Sequence, residues 1–118
     1  MLDKQIIILD KKISINELKK CIVENSNASS TLIIMESKII VSIYKIIPLA
    51  ILMTFEYVKT GGFSKWDLYS QIYKKINELF SKLDPYRDKG IWGLFFDELQ
   101  INHIVFYPKL KKLIVSLS

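Results

Sequence analysis

The residue types that most often carry catalysis are scarce in this chain. His103 is the single histidine and Cys21 the single cysteine among 118 residues. A Ser-His-acid or Cys-His site needs a base within reach of its nucleophile and oriented by a third group. His103 lies between Ile101 and Val105 at i±2, so strand alternation predicts an apolar face for it and a packing role. Cys21 falls in or beside an apolar helix stripe, where a packed thiol is the expected state. One Cys and one His are too few for a structural zinc centre. Asp84, Asp88, Asp97 and Glu98 lack the Asp-x-Asp-x-Asp spacing of a calcium loop. Adjacent Asp97 and Glu98 would point to opposite faces of a strand, a poor arrangement for paired acid-base work. Neither Gly61-Gly62 nor "GIWG" has the spacing of a phosphate-cradling loop. No catalytic residue, metal ligand or cofactor is assigned, and the chain is expected not to be an enzyme.

Binding is better supplied. The segment "LDPYRDKGIWGLFFDELQI" sets Tyr86, Arg87 and Trp92 among acids that include Asp97 and Glu98. Trp, Tyr and Arg dominate protein-protein hot spots, and flanking acids add specificity. Tyr86, Arg87, Trp92, Asp97 and Glu98 are therefore the candidate partner contacts, against the plainer reading that the aromatics plug a seam between helix and sheet. The net charge of +5 also invites anionic partners. The excess is spread thinly, and the one tight cluster is Lys109, Lys111 and Lys112. In an alternative reading, a winged-helix-like regulator touches nucleic acid with these three lysines at the tip of a C-terminal hairpin.

The elements that must position these residues are legible in outline. At this length one domain, residues 1–118, is expected, with enough apolar residues for its own core. "QIIILD" reads as a strand. Ser14 with Glu17, and Ser64 with Asp67, have the spacing of helix-capping pairs. Ile15, Leu18, Ile22 and Val23 share one helical stripe; Trp66, Tyr69, Tyr73, Ile76, Phe80 and Leu83 share another, which ends before Pro85. "TLIIMESKIIVSIY" holds two β-branched runs around Glu36-Ser37, a turn or a bend. Residues 48–60 carry both patterns. Pro48 and Gly61-Gly62 are helix end signals and favour a helix, while Leu49, Ile51, Met53, Phe55 and Tyr57 alternate as in a strand. From Leu99 the period is two, with a turn at Pro108-Lys109. The expected class is α+β: a mainly antiparallel sheet with two or three helices packed on it and a C-terminal β-hairpin.

Lys45, Pro48 and Glu56 interrupt the apolar stretch from Ile39 to Val58, so no membrane span is expected. The lone cysteine and the lack of a small-residue cleavage site after "MLDKQIIILDKK" favour a cytoplasmic setting. Homodimerisation through an exposed strand edge stays open.

The order of "FEYVKTGG", a Trp-opened helix, "KGIWGLFFDELQI" and a short terminal hairpin, over residues 55–107, resembles small cytosolic immunity proteins of bacterial polymorphic or contact-dependent toxin systems. The resemblance implies a protein that binds and blocks one cognate toxin domain. It transfers no functional residues, because these families share no common motif. Immunity proteins against nucleases are often acidic, and this chain is basic. That departure implies an acidic target surface or a toxin that is not a nuclease.

Overall fold

One local signal occurs twice and sets both helices. Ile13-Ser14-x-x-Glu17-Leu18 and Phe63-Ser64-x-x-Asp67-Leu68 share a spacing of apolar residue, serine, acid and leucine. In the computed structural model, which describes residues 4–24, 31–46, 50–81 and 98–118, each signal ends a two-residue strand and starts a helix. Glu17 N–H donates to Ser14 Oγ (3.1 Å), and Ser14 N–H donates back to Glu17 Oε1 (3.3 Å). Asp67 N–H donates to Ser64 Oγ (3.2 Å), and Ser64 N–H to Asp67 Oδ2 (2.8 Å). These are reciprocal capping boxes. The residues before and four after each serine cap are apolar and buried: Ile13 with Leu18, Phe63 with Leu68. Trp66 Nε1–H donates to the Ile22 carbonyl (3.0 Å), tying the start of the second helix to the end of the first.

In chain order the elements are β1 (Ile6–Leu9), β2 (Ile13–Ser14), α1 (Ile15–Glu24), β3 (Leu32–Ile34), β4 (Lys38–Lys45), β5 (Ala50–Val58), β6 (Phe63–Ser64), α2 (Lys65–Ser81), β7 (Gln100–Tyr107) and β8 (Lys112–Leu117). The main sheet runs β1-β7-β8-β4-β5, with β2 extending the β1 edge along β7. Every pairing in it is antiparallel except β4 with β8. The short β3 and β6 form a second, antiparallel pair. The class is α+β with a mainly antiparallel sheet, two helices among the described residues, and a β7–β8 hairpin.

The inner face of the sheet presents Ile39, Val41 and Ile43 of β4, Leu113, Val115 and Leu117 of β8, and Ile101, Ile104 and Phe106 of β7. Against them lie Ile15 and Leu18 of α1 and Leu68, Ile72 and Ile76 of α2. All fourteen side chains are essentially sealed from solvent. Fully burying one such side chain stabilises by roughly 1.5–3 kcal/mol. The aromatic stripe expected on α2 is rotated. Tyr69 and Ile76 are buried as expected, but Leu68 and Ile72 join them at the centre, Trp66, Tyr73 and Phe80 are half-buried at the margins, and Leu83 lies outside the described residues.

Three expectations are corrected. Residues 50–58 form strand β5, not a helix, because Met53, Phe55 and Tyr57 pair with Ile43, Val41 and Ile39 on one face. Gly61-Gly62 is then a strand-to-strand turn, with φ of 93° and 102°. The β-branched runs around Glu36-Ser37 are not a hairpin, since β3 pairs with β6 and β4 with β5 and β8. His103 leaves the apolar face. Ile101 pairs with Leu117 but His103 with Ser116, so Asn102 is an extra residue. This bulge inverts the alternation: Ile104 and Phe106 face inward, and His103 is exposed.

No helix among the described residues is long and apolar enough to cross a membrane.

The two turn glycines make a paired prediction. A Cβ on Gly62 would overlap the Ile34 carbonyl oxygen, whereas a Cβ on Gly61 meets open space. Gly61→Ala should cost roughly 1–2 kcal/mol from backbone strain alone. Gly62→Ala should cost roughly 3 kcal/mol or more, because β3 must also move. Chemical denaturation of the two variants checks the difference.

Candidate functional site

Of the candidate partner contacts, Glu98 is described and is exposed just before β7. Tyr86, Arg87, Trp92 and Asp97 lie outside the described residues. Lys109 and Lys111 are exposed at the β7–β8 turn and Lys112, the first residue of β8, is half-buried. The winged-helix arrangement is not formed by the described elements. The hairpin does not project as a wing, because β7 and β8 lie inside the sheet, between β1 and β4.

The sheet brings together a surface that the sequence did not reveal. Both helices pack on the inner face, so the outer face has no helix over it among the described residues. The register lines up three rows there. Ile7, Val105, Ile114, Ser42 and Thr54 form a row across all five strands. Tyr107, Lys112, Ile40 and Glu56 form a second; His103, Ser116, Tyr44 and Ile51 form a third. Ser42 Oγ and Thr54 Oγ1 share a hydrogen bond (3.2 Å) and satisfy each other. Ile7 is 59 % and Ile51 62 % exposed. A half-covered apolar row flanked by two tyrosines and a histidine has the composition of an interaction surface rather than of a solvated face. The signal was hidden because the rows join strands far apart in sequence, and Ile39, Ile40 and Val41 of β4 show no alternation to separate its faces.

The same topology gathers lysines. The β7–β8 turn, the start of β4, the end of β5 and the start of β1 share one end of the sheet. Lys109, Lys111, Lys112, Lys38, Lys59 and Lys4 therefore converge from four segments. Lys38 Nζ lies 3.5 Å from Glu56 Oε1, an exposed pair of little energetic weight. Leu110 (64 % exposed) and Val58 (63 %) stand among these bases.

One cluster has catalytic residue types: Tyr57, Lys59, Ser64 and Asp67. Asp67 Oδ2 accepts from Ser64 Oγ (2.9 Å) as well as Ser64 N–H, and Lys59 Nζ lies 3.1 Å from it. Lys59 Nζ also donates to the Gly62 carbonyl (3.4 Å), and the Tyr57 hydroxyl to the Asp67 carbonyl (3.4 Å). Burial pushes the Asp67 carboxyl up, but its hydrogen bonds from Ser64 and the Lys59 ammonium outweigh this and hold it below the usual carboxylate range. Burial, then the Asp67 charge, pushes the Tyr57 phenol up. The cluster therefore holds an ionised acid and a neutral phenol at neutral pH, with their polar atoms engaged in capping α2 and closing the turn. Among the described residues, no group of three or more His, Cys, Asp or Glu could hold a metal ion.

The depressed Asp67 carboxyl fixes a sign for acid stability. Its contribution is present above the unfolded carboxyl's pKa of 3.8 and is lost as pH falls below that value through the folded one. Asp67→Asn should lower stability at pH 7 and flatten the acid limb of the stability-pH profile, read from thermal melts.

No protein-family model, curated protein or solved structure matches the chain.

Proposed function

We propose that this chain is a non-enzymatic protein-binding protein, an immunity- or antitoxin-type inhibitor that acts in the cytoplasm by occluding a cognate toxin domain. The observation that supports the reading is the outer sheet face, with its Ile7–Val105–Ile114 row and flanking Tyr44, Tyr107 and Ile40. A rigid, half-apolar sheet suits steric blockade, because little ordering entropy is lost when it docks. The lysine end beside it calls for an acidic rim on the partner, in line with the basic charge of the chain. Tyr86, Arg87, Trp92, Asp97 and Glu98 remain the contacts that residue type proposes from the segment entering β7.

Co-expression with a toxin-like product of a neighbouring gene should restore growth, and the two proteins should co-purify. Ile7→Glu should weaken that complex at least ten-fold, since it sets a charge on the exposed β1 end of the apolar row. Val23→Glu, at an exposed position on α1, should leave it unchanged. Failure of rescue with every adjacent toxin-like gene, or equal binding by both variants, would count against the reading.

A second reading rests on the lysine convergence. Nucleic acid bound there would be released by salt. Reversing Lys109, Lys111 and Lys112 to Glu should reduce the slope of log affinity against log salt by about 2–3. Fluorescence polarisation with labelled DNA and RNA measures it, and the absence of binding at low salt removes this reading.

A further inference from the structure

The two edges of the main sheet are built differently. The β1 edge is broken. Its register slips between Ile7 and Leu9, and exposed Asp10, Lys11 and Lys12 interrupt it before β2 resumes. Bulges and charges of this kind keep a strand edge from pairing with another chain. The β5 edge is less protected, because its one register slip, at Leu52, lies near its start. It runs Ala50–Val58 without proline or lysine, its register on β4 is regular from Met53 to Val58, and Glu56 is its one charge. Among the described residues, nothing pairs with its outer side.

The ladder shows which groups that outer side offers. Lys59 N–H donates to the Ser37 carbonyl (2.8 Å), one step beyond the Lys38–Val58 pair. Ladder bonds alternate along an antiparallel pair. Tyr57, Phe55 and Met53 therefore exchange bonds with β4, while the N–H and C=O groups of Thr54, Glu56 and Val58 point outward. The other strand agrees, because Ile40, opposite Glu56, turns its N–H away to the Lys111 carbonyl (2.9 Å). On the inner face, Met53, Phe55 and Tyr57 are only half-buried, and no strand among the described residues lies beyond them.

We propose that β5 pairs antiparallel with β5 of a second copy, across a two-fold axis through Phe55, so that one sheet runs through both molecules. A two-fold normal to the sheet keeps each inner face with the other, so facing residues must have the same parity. Centring on Phe55 meets this condition and uses the regular part of the strand. Thr54 faces Glu56 of the second copy twice, with outward amides on both, which gives four backbone hydrogen bonds. Phe55 faces Phe55, and Met53 faces Tyr57, which covers the half-buried inner residues. A centre on Glu56 would oppose two carboxylates, and a centre on Thr54 would set Glu56 against Leu52 at the β5 bulge. The dimer uses the backbone edge of β5, whose Thr54 and Glu56 also end two rows of the outer face; it does not depend on the protein-binding reading, because it is measured on the purified chain alone.

Sedimentation velocity over a concentration range tests it. The chain should sediment as a dimer. Thr54→Glu sets carboxylates opposite each other twice and should weaken dimerisation at least ten-fold, and adding Glu56→Lys should restore it. Circular dichroism should show an intact fold in each variant, because Thr54 and Glu56 are exposed. In a Cys21→Ser background, Phe55→Cys should cross-link two copies on oxidation, as facing residues in a non-hydrogen-bonded pair lie within disulfide reach, and Val58→Cys should not. A monomer at every concentration, a dimer indifferent to Thr54→Glu, or equal cross-linking by both cysteine variants would overturn the proposal.

Discussion

The parallel pairing of β4 with β8 is the constraint on which the architecture rests. Parallel neighbours cannot be joined by a tight turn, so the chain between them must cross over the sheet. Here that chain includes β5, β6, α2 and β7. The crossover lays α2 on the face where Ile39, Val41 and Ile43 meet Leu113, Val115 and Leu117, and α1 fills the rest through Ile15 and Leu18. With both helices committed to one side, the other face of the sheet keeps its residues half-exposed. The exposure of that face is thus a by-product of connectivity.

What was legible in the sequence was local. The capping boxes at Ser14 and Ser64 were readable because cap and acid lie three residues apart and make their bonds without help from distant chain. The β7–β8 hairpin was readable for the same reason. Misreadings arose where two local signals competed or one residue slipped. Pro48 and the glycine pair are consistent with a helix end, yet the alternation of Met53, Phe55 and Tyr57 against β4 prevailed, because a strand there completes the inner face. His103 was assigned by parity, and a single extra residue, Asn102, reversed it.

The candidate site was less legible than the fold. Hot-spot composition pointed to Tyr86, Arg87 and Trp92, which lie outside the described residues. The outer-face rows depend on register between strands far apart in sequence, and no window of the chain contains Ile7, Val105 and Ile114 together. The lysine convergence has the same character: Lys4, Lys38, Lys59 and Lys109 come from four segments whose adjacency only the topology creates.

The position of β8 has a kinetic consequence. It follows every other described strand in the chain, yet it lies at the centre of the main sheet. The β4–β5 hairpin and the capped helices can form from near neighbours, but β4 has no second partner until β8 arrives from about 70 residues downstream. Loop closure over that distance precedes any reward from the pairing, which slows folding. During synthesis the apolar β4–β5 hairpin must wait with both edges unpaired, so the nascent chain passes through an interval in which the strand meant for the middle of the sheet is itself an edge.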